Sequence, residues 1–209
     1  MSRYARSERG ALADLLLTLG PAAPTVVPEW TTCDLAAHLV VRERRPDAAA
    51  GLLLPPLRGH GRRVQAAVTR QPWPHLVEQV RRPPWWSPVS NPVTDELANT
   101  VEFFVHHEDV RRARPDWQPR TLPAGLEAGL WRRLPVFARL GLRRFPAEVL
   151  VQAPGHGEVT VGAGGERVRL VGTPGELTVF LFGRQRVARV QVDGPAEVSG
   201  RLRTARLGV

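Results

Sequence analysis

Val101 to Arg112 reads VEFFVHHEDVRR, with two adjacent histidines, three carboxylates and two phenylalanines. Imidazole nitrogens and carboxylate oxygens are the donors that hold a divalent cation, but they also build ordinary solvated helix faces. Helical phase separates the two readings. At about 100° per residue, Asp95, Asn99, Glu102, His106 and Asp109 share one narrow stripe, spaced i, i+4, i+7, i+11, i+14. Ala98, Phe103, Val105 and Val110 flank that stripe, so it runs down the middle of the apolar face. Glu96, Thr100, His107, Arg111 and Arg114 lie on the opposite side, which the same wheel sends toward solvent. His106 is therefore the ligand candidate, and His107 is not.

Carboxylates and imidazoles on an apolar face cost several kcal/mol each if left without partners, about the penalty of an unpaired buried polar group. A divalent cation between Glu102 and His106, one turn apart, removes that cost, and a buried hydrogen-bonded network would remove it equally. Both stay open at this level. A third ligand has to come from another helix. Glu78 and Gln79 sit in an irregular region, and His60 and His75 stand beside glycine or proline. His38, in DLAAHLVVRE, shares a face with Leu35 and Val41 and should point to the core. A lone histidine there also has the plain reading of a satisfied core residue. Two histidines and a glutamate suit zinc with one position left for water or substrate, and would serve iron, nickel or manganese too.

These residues need helices to place them. Residues 6 to 19 carry leucines at helical period and stop at Gly20-Pro21. A second helix follows Trp30-Thr31-Thr32, with a threonine cap, an acidic first turn, an arginine-rich last turn and Pro46 beyond. A less regular region covers 58 to 82, broken at Pro72 and Pro74, and PPWWSPVSNP (83 to 92) is too proline-rich for a helix. The ligand helix is expected from Thr94 to Ala113, and a last helix from 123 to 143 with a kink at Pro135. After Phe145-Pro146, EVLVQA, EVTV, ERVRLVG and ARVQVDG read as short strands, with GAGGE (162 to 166) as a hairpin turn. Thr173-Pro174-Gly175-Glu176 opens a short helix; its N–H groups could hold an anion, though a plain cap is the simpler role. The expected architecture is an all-α bundle over 1–145 and a small α+β domain over 146–209, packed against each other.

Composition bounds the function. The chain of 209 residues, 43% apolar and 23% charged, reads as an ordinary globular protein. No apolar run approaches the ~20 residues needed to span a bilayer, and Glu8 and Asp14 interrupt the N-terminal leucine run as they would not in a signal peptide. Cys33 is the only cysteine, so no internal disulfide forms and a reducing cytoplasm is the expected compartment. The net charge of +9 invites a nucleic-acid reading. Against it, all 29 basic residues are arginine, there is no lysine or isoleucine, and the arginines are scattered in pairs such as Arg44-Arg45 and Arg132-Arg133. That is the usage of a GC-rich genome, and what survives is a positive field for small anionic substrates.

WTTCDLAAHL (Trp30 to Leu39) and EFFVHHED (Glu102 to Asp109), with ELTVFLFGRQ and VQVDG in the tail, resemble the DinB-like superfamily. More narrowly, the chain resembles the mycothiol-dependent maleylpyruvate isomerase-type metal-binding proteins of actinobacteria. The resemblance covers nearly the whole chain. It implies an up-and-down four-helix bundle followed by a small α+β domain, with metal ligands at His38, Glu102 and His106 and Asp109 bracing the ligand helix. It also implies a thiol-dependent isomerase or S-transferase with mycothiol as co-substrate and an anionic electrophile as partner. The alternative is a metal-binding sensor or interaction protein without catalysis. Arg42, one turn beyond His38, is the candidate for the substrate carboxylate, with a solvated helix-end charge as its plain reading. Trp85 and Trp86 could line a pocket mouth or pack the connection, Cys33 lies off the ligand face, and a homodimer is compatible with all of this.

Overall fold

The computed structural model describes residues 3–48, 58–87 and 99–207. Asp95, Glu96, Ala98 and the expected helix start at Thr94 lie outside the described residues, as do residues 88 to 92 of the proline-rich connection. The chain is mostly helical, with a small four-stranded mixed sheet near its C-terminus. It divides into two compact units, Met1–Trp117 and Gln118–Val209.

In the first unit, α1 spans Arg3–Leu19, α2 Thr32–Arg44, α3 Arg58–Val68, α4 Trp73–Arg81 and α5 Thr100–Arg111. Thr31 starts α2 with a reciprocal cap: its hydroxyl accepts from the Asp34 N–H, and Asp34 accepts from the Thr31 N–H at 2.9 Å. Helix α1 packs on α4 and most extensively on α5, while α2 packs on α3 and α4. Leu12, Leu16, Leu35, Leu39, Leu76, Val80, Phe103 and Val110 form the shared core. Arg9 is buried in it. Its guanidinium grips both Glu43 oxygens, donates to the Val80 carbonyl at 2.7 Å and lies 3.9 Å over the Phe103 ring. One charged side chain thus pins α1 to α2, α4 and α5, where an unpaired ion would be strongly destabilising.

The tight α1–α5 contact corrects the wheel. Thr100, Val101 and every residue from Phe103 to Val110 are buried, so both faces of α5 are covered and none of the described turns is a solvent stripe.

In the second unit, α6 (Ala124–Leu142) runs through Pro135 and is followed by β1 (Glu148–Ala153), β2 (Gly157–Val161) and β3 (Arg167–Val171). Then come α7 (Pro174–Leu181), a 3-10 turn at Gln185–Val187, β4 (Gln191–Asp193) and α8 (Ala196–Thr204). The sheet order is β2-β1-β3-β4; β1 pairs antiparallel with β2 and parallel with β3, and β3 pairs antiparallel with β4. The segment GAGGE is therefore not a hairpin turn, because β1 lies between the two strands it joins. It passes over the start of β1 so closely that a Cβ on Gly162, at φ +86°, would meet the Ala147 carbonyl oxygen at 2.5 Å. Leu134, Ala138 and Leu142 of α6 share a core with Val149, Val151, Val168, Leu170, Leu177 and Phe180. The division at 117/118 thus gives α6 to the sheet unit, where the sequence suggests a boundary at 145/146. Thr173 caps α7 by accepting from the Glu176 N–H, and the Gly175 N–H donates to Glu127 at 3.1 Å, so protein groups take up the N–H groups considered for an anion.

Candidate metal centre

Helices α2 and α5 bring His38, Glu102 and His106 together. Nε2 of His38 lies 3.3 Å and Nε2 of His106 3.4 Å from the same oxygen, Oε1 of Glu102. One donor atom from each of the three falls within 4.8 Å of the others, a spacing that one ion can bridge. The imidazole rings meet edge to face at 5.2 Å, and Trp30, just ahead of the α2 cap, tilts against His38 at the same distance. The donors are part-buried or buried, with Glu102 the most exposed at 22%.

Asp109, one turn along α5 and buried, accepts from Nδ1 of His106 at 3.0 Å. That bond fixes the tautomer and ring plane and turns Nε2 toward Glu102, the arrangement in which a carboxylate orients a ligating histidine. Nδ1 of His38 is buried with no partner among the described residues. Arg42, which is only 14% exposed, does not extend into solvent as its plain reading has it. Its Nη1 donates to Asn99 at 2.7 Å and its Nε lies 3.4 Å from Glu102.

These contacts set the charges. Burial alone would raise the Glu102 carboxyl, but bonds from His106 and His38 and the charges of His106 and Arg42 hold it well below the usual range. Burial lowers His38; its bond to Glu102 offsets only part of this, and the His106 and Arg42 charges lower it further. Burial works against the His106 imidazolium too, yet Asp109 and Glu102 outweigh it and raise that ring to about 9. At neutral pH the site offers a carboxylate, a neutral imidazole and a second imidazole that must release a proton to bind an ion.

The three donors could hold one divalent metal ion, and two imidazoles with a carboxylate suit several such metals. The residues set aside stay aside. His60 pairs with Asp47 on the surface, and Cys33 points its thiol at the Thr69 carbonyl, with burial and then Asp34 raising it. Trp85 is 93% exposed and Trp86 48%.

His107 departs most from expectation. It is buried, and its Nδ1 donates to Glu8 of α1 at 2.8 Å. In the sequence Glu8 stands out only as an interruption of the N-terminal leucines. The signal that could have found it is its helical position beside Leu12, on the face α1 must bury. Among the described residues no helix is long and apolar enough to cross a membrane.

No protein-family model matches the chain, and no curated protein or solved structure matches it either.

Proposed function

We propose that this protein binds one divalent metal ion, zinc by the chemistry of the donors, through His38, Glu102 and His106. On this reading it serves as a thiol-dependent isomerase or S-transferase. The observation that supports it is the convergence of two imidazole Nε2 atoms on one carboxylate oxygen, with Asp109 already orienting His106. The helices α1, α2, the α3–α4 segment and α5 would be the four members of a DinB-type bundle, and the protein would work in the cytoplasm, alone or as a homodimer.

A bound ion would supply the positive charge that favours the thiolate form of a co-substrate thiol, mycothiol by the family resemblance. The protein's own part is to hold that charge and aim the partner. Asp109 keeps the His106 ring in place. Arg42, held by Asn99 beside Glu102, has further N–H donors for the carboxylate of an anionic electrophile.

Two other readings remain distinct. His38, Glu102, His106 and Asp109 are linked in a chain of contacts, with Nδ1 of His38 unmet among the described residues, and that chain favours a purely structural polar network. A non-catalytic metal-binding or interaction protein is the other. Metal content after purification and zinc titration separates the network from both metal readings. With metal bound, thiol-dependent consumption of maleylpyruvate or a bimane probe marks the enzyme, and failure across a thiol and electrophile panel marks the binder.

A further inference from the structure

The opposite side of α5 carries a second constellation, built around His107. Glu8 and His107 are both more than nine-tenths buried, and the Nδ1–H of His107 is committed to the Glu8 carboxylate. In the neutral ring that bond leaves a lone pair on Nε2, and among the described residues Nε2 has no hydrogen-bond partner. His107 is also part of the wall of a cleft of about 390 Å³ between α1 and the C-terminal end of α5. A fixed, buried imidazole acceptor at the edge of a cleft is a recognition element that a solvated surface histidine is not.

The rest of the wall has two characters. Arg111 and Arg114 bring guanidinium groups; Arg114 is about half exposed and gives one nitrogen to Asp116 at 3.2 Å, out of five N–H donors. The Asp14 carboxylate in the wall is already engaged by Arg81 at 2.6 Å. Leu15 and Trp117 supply apolar surface, the indole being backed by the Arg112 guanidinium at 4.7 Å.

We propose that this cleft is a second ligand site, which takes a small organic acid bearing a hydroxyl group beside its carboxylate and an apolar tail. The hydroxyl donates to Nε2 of His107, the carboxylate meets Arg114 with Arg111 beside it, and the tail lies on Leu15 and Trp117. The site is independent of the metal cluster, because its side chains leave α5 on the other side and include none of the three ligands.

The test uses the full chain in EDTA, with mandelate as the probe. Phenylacetate, which lacks the hydroxyl, and benzyl alcohol, which lacks the carboxylate, serve as controls, with binding followed by calorimetry and the Trp117 indole N–H resonance. Wild type should prefer mandelate to either control by about tenfold or more, since a site built to accept a hydroxyl hydrogen bond rejects the analogue without it. His107→Asn keeps a donor toward Glu8 and removes Nε2, so mandelate should fall to the level of phenylacetate. Arg114→Gln, at a half-exposed position, should weaken both acids and leave benzyl alcohol unchanged. Equal binding of mandelate and phenylacetate by wild type, no binding at millimolar probe, or full preference in a folded His107→Asn each overturns the proposal. So does mandelate binding that appears only on adding zinc, which would place the acid at the metal centre.

Discussion

His106 and His107 are chain neighbours, and each has its Nδ1 held by a carboxylate. For His106 that carboxylate is Asp109 of the same helix; for His107 it is Glu8, from another helix. The device is the same, but its consequences differ. Nε2 of His106 is aimed at Glu102 and His38, so three donors converge. His107 lines a cleft instead, whose wall also carries Arg111, Arg114 and Trp117. A histidine fixed by a carboxylate is thus not yet a metal ligand; the groups beyond its other nitrogen decide its chemistry.

Substitutions that treat the two sides differently sharpen the contrast. His106→Ala should weaken zinc binding by about a hundredfold or more, since one of three protein ligands is lost, whereas His107→Asn should leave it within about threefold. Calorimetric zinc titration reads both. Glu8→Ala should cost about 1–3 kcal/mol of stability by leaving the His107 donor buried and unmet, without moving zinc affinity. Chemical denaturation beside a zinc titration checks that pairing of effects. Asp109→Asn loosens the brace of the ligand and should lower zinc affinity about tenfold. Arg42→Gln removes a positive charge 3.4 Å from Glu102. Zinc affinity should therefore rise by about two- to fivefold, the size of a partly exposed ion pair.

The raised pKa of His106 gives the metal side a pH signature with a definite sign. Its folded value of about 9 lies above its ordinary value of 6.5, so ion pairing with Asp109 and Glu102 stabilises the metal-free protein fully below 6.5. That stabilisation is lost as pH rises toward 9. Metal binding runs the other way, because the ion displaces the same proton, and zinc affinity should climb by about tenfold per pH unit up to 9. Denaturation midpoints and metal titrations across roughly pH 6 to 9 would show the two trends crossing.

Local rules made much of this legible. The Thr31 cap of α2, the stripe holding Glu102, His106 and Asp109, and the inward phase of His38 all follow from short-range periodicity and hydrogen-bonding chemistry, and the structure places those groups together. The wheel misplaces His107 because it tells which residues share a face but not what covers the other one. Here α1 covers it, and Glu8 lies 99 residues away in sequence. The allegiance of α6 is illegible for a related reason. Its stripe of Leu134, Ala138 and Leu142 suits a helical core or a sheet equally, and only the packing shows that it joins the sheet. The role of GAGGE depends on strand order, which turn composition does not encode.

On the proposed reading, His38, Glu102 and His106 hold a metal and His107 does not. The direct measurement is zinc stoichiometry and affinity by calorimetry on wild type, His106→Ala and His107→Asn, each verified as folded. One ion bound by wild type and His107→Asn, with binding lost in His106→Ala, is the predicted result. Equal zinc binding by all three proteins, or none by wild type, would contradict it.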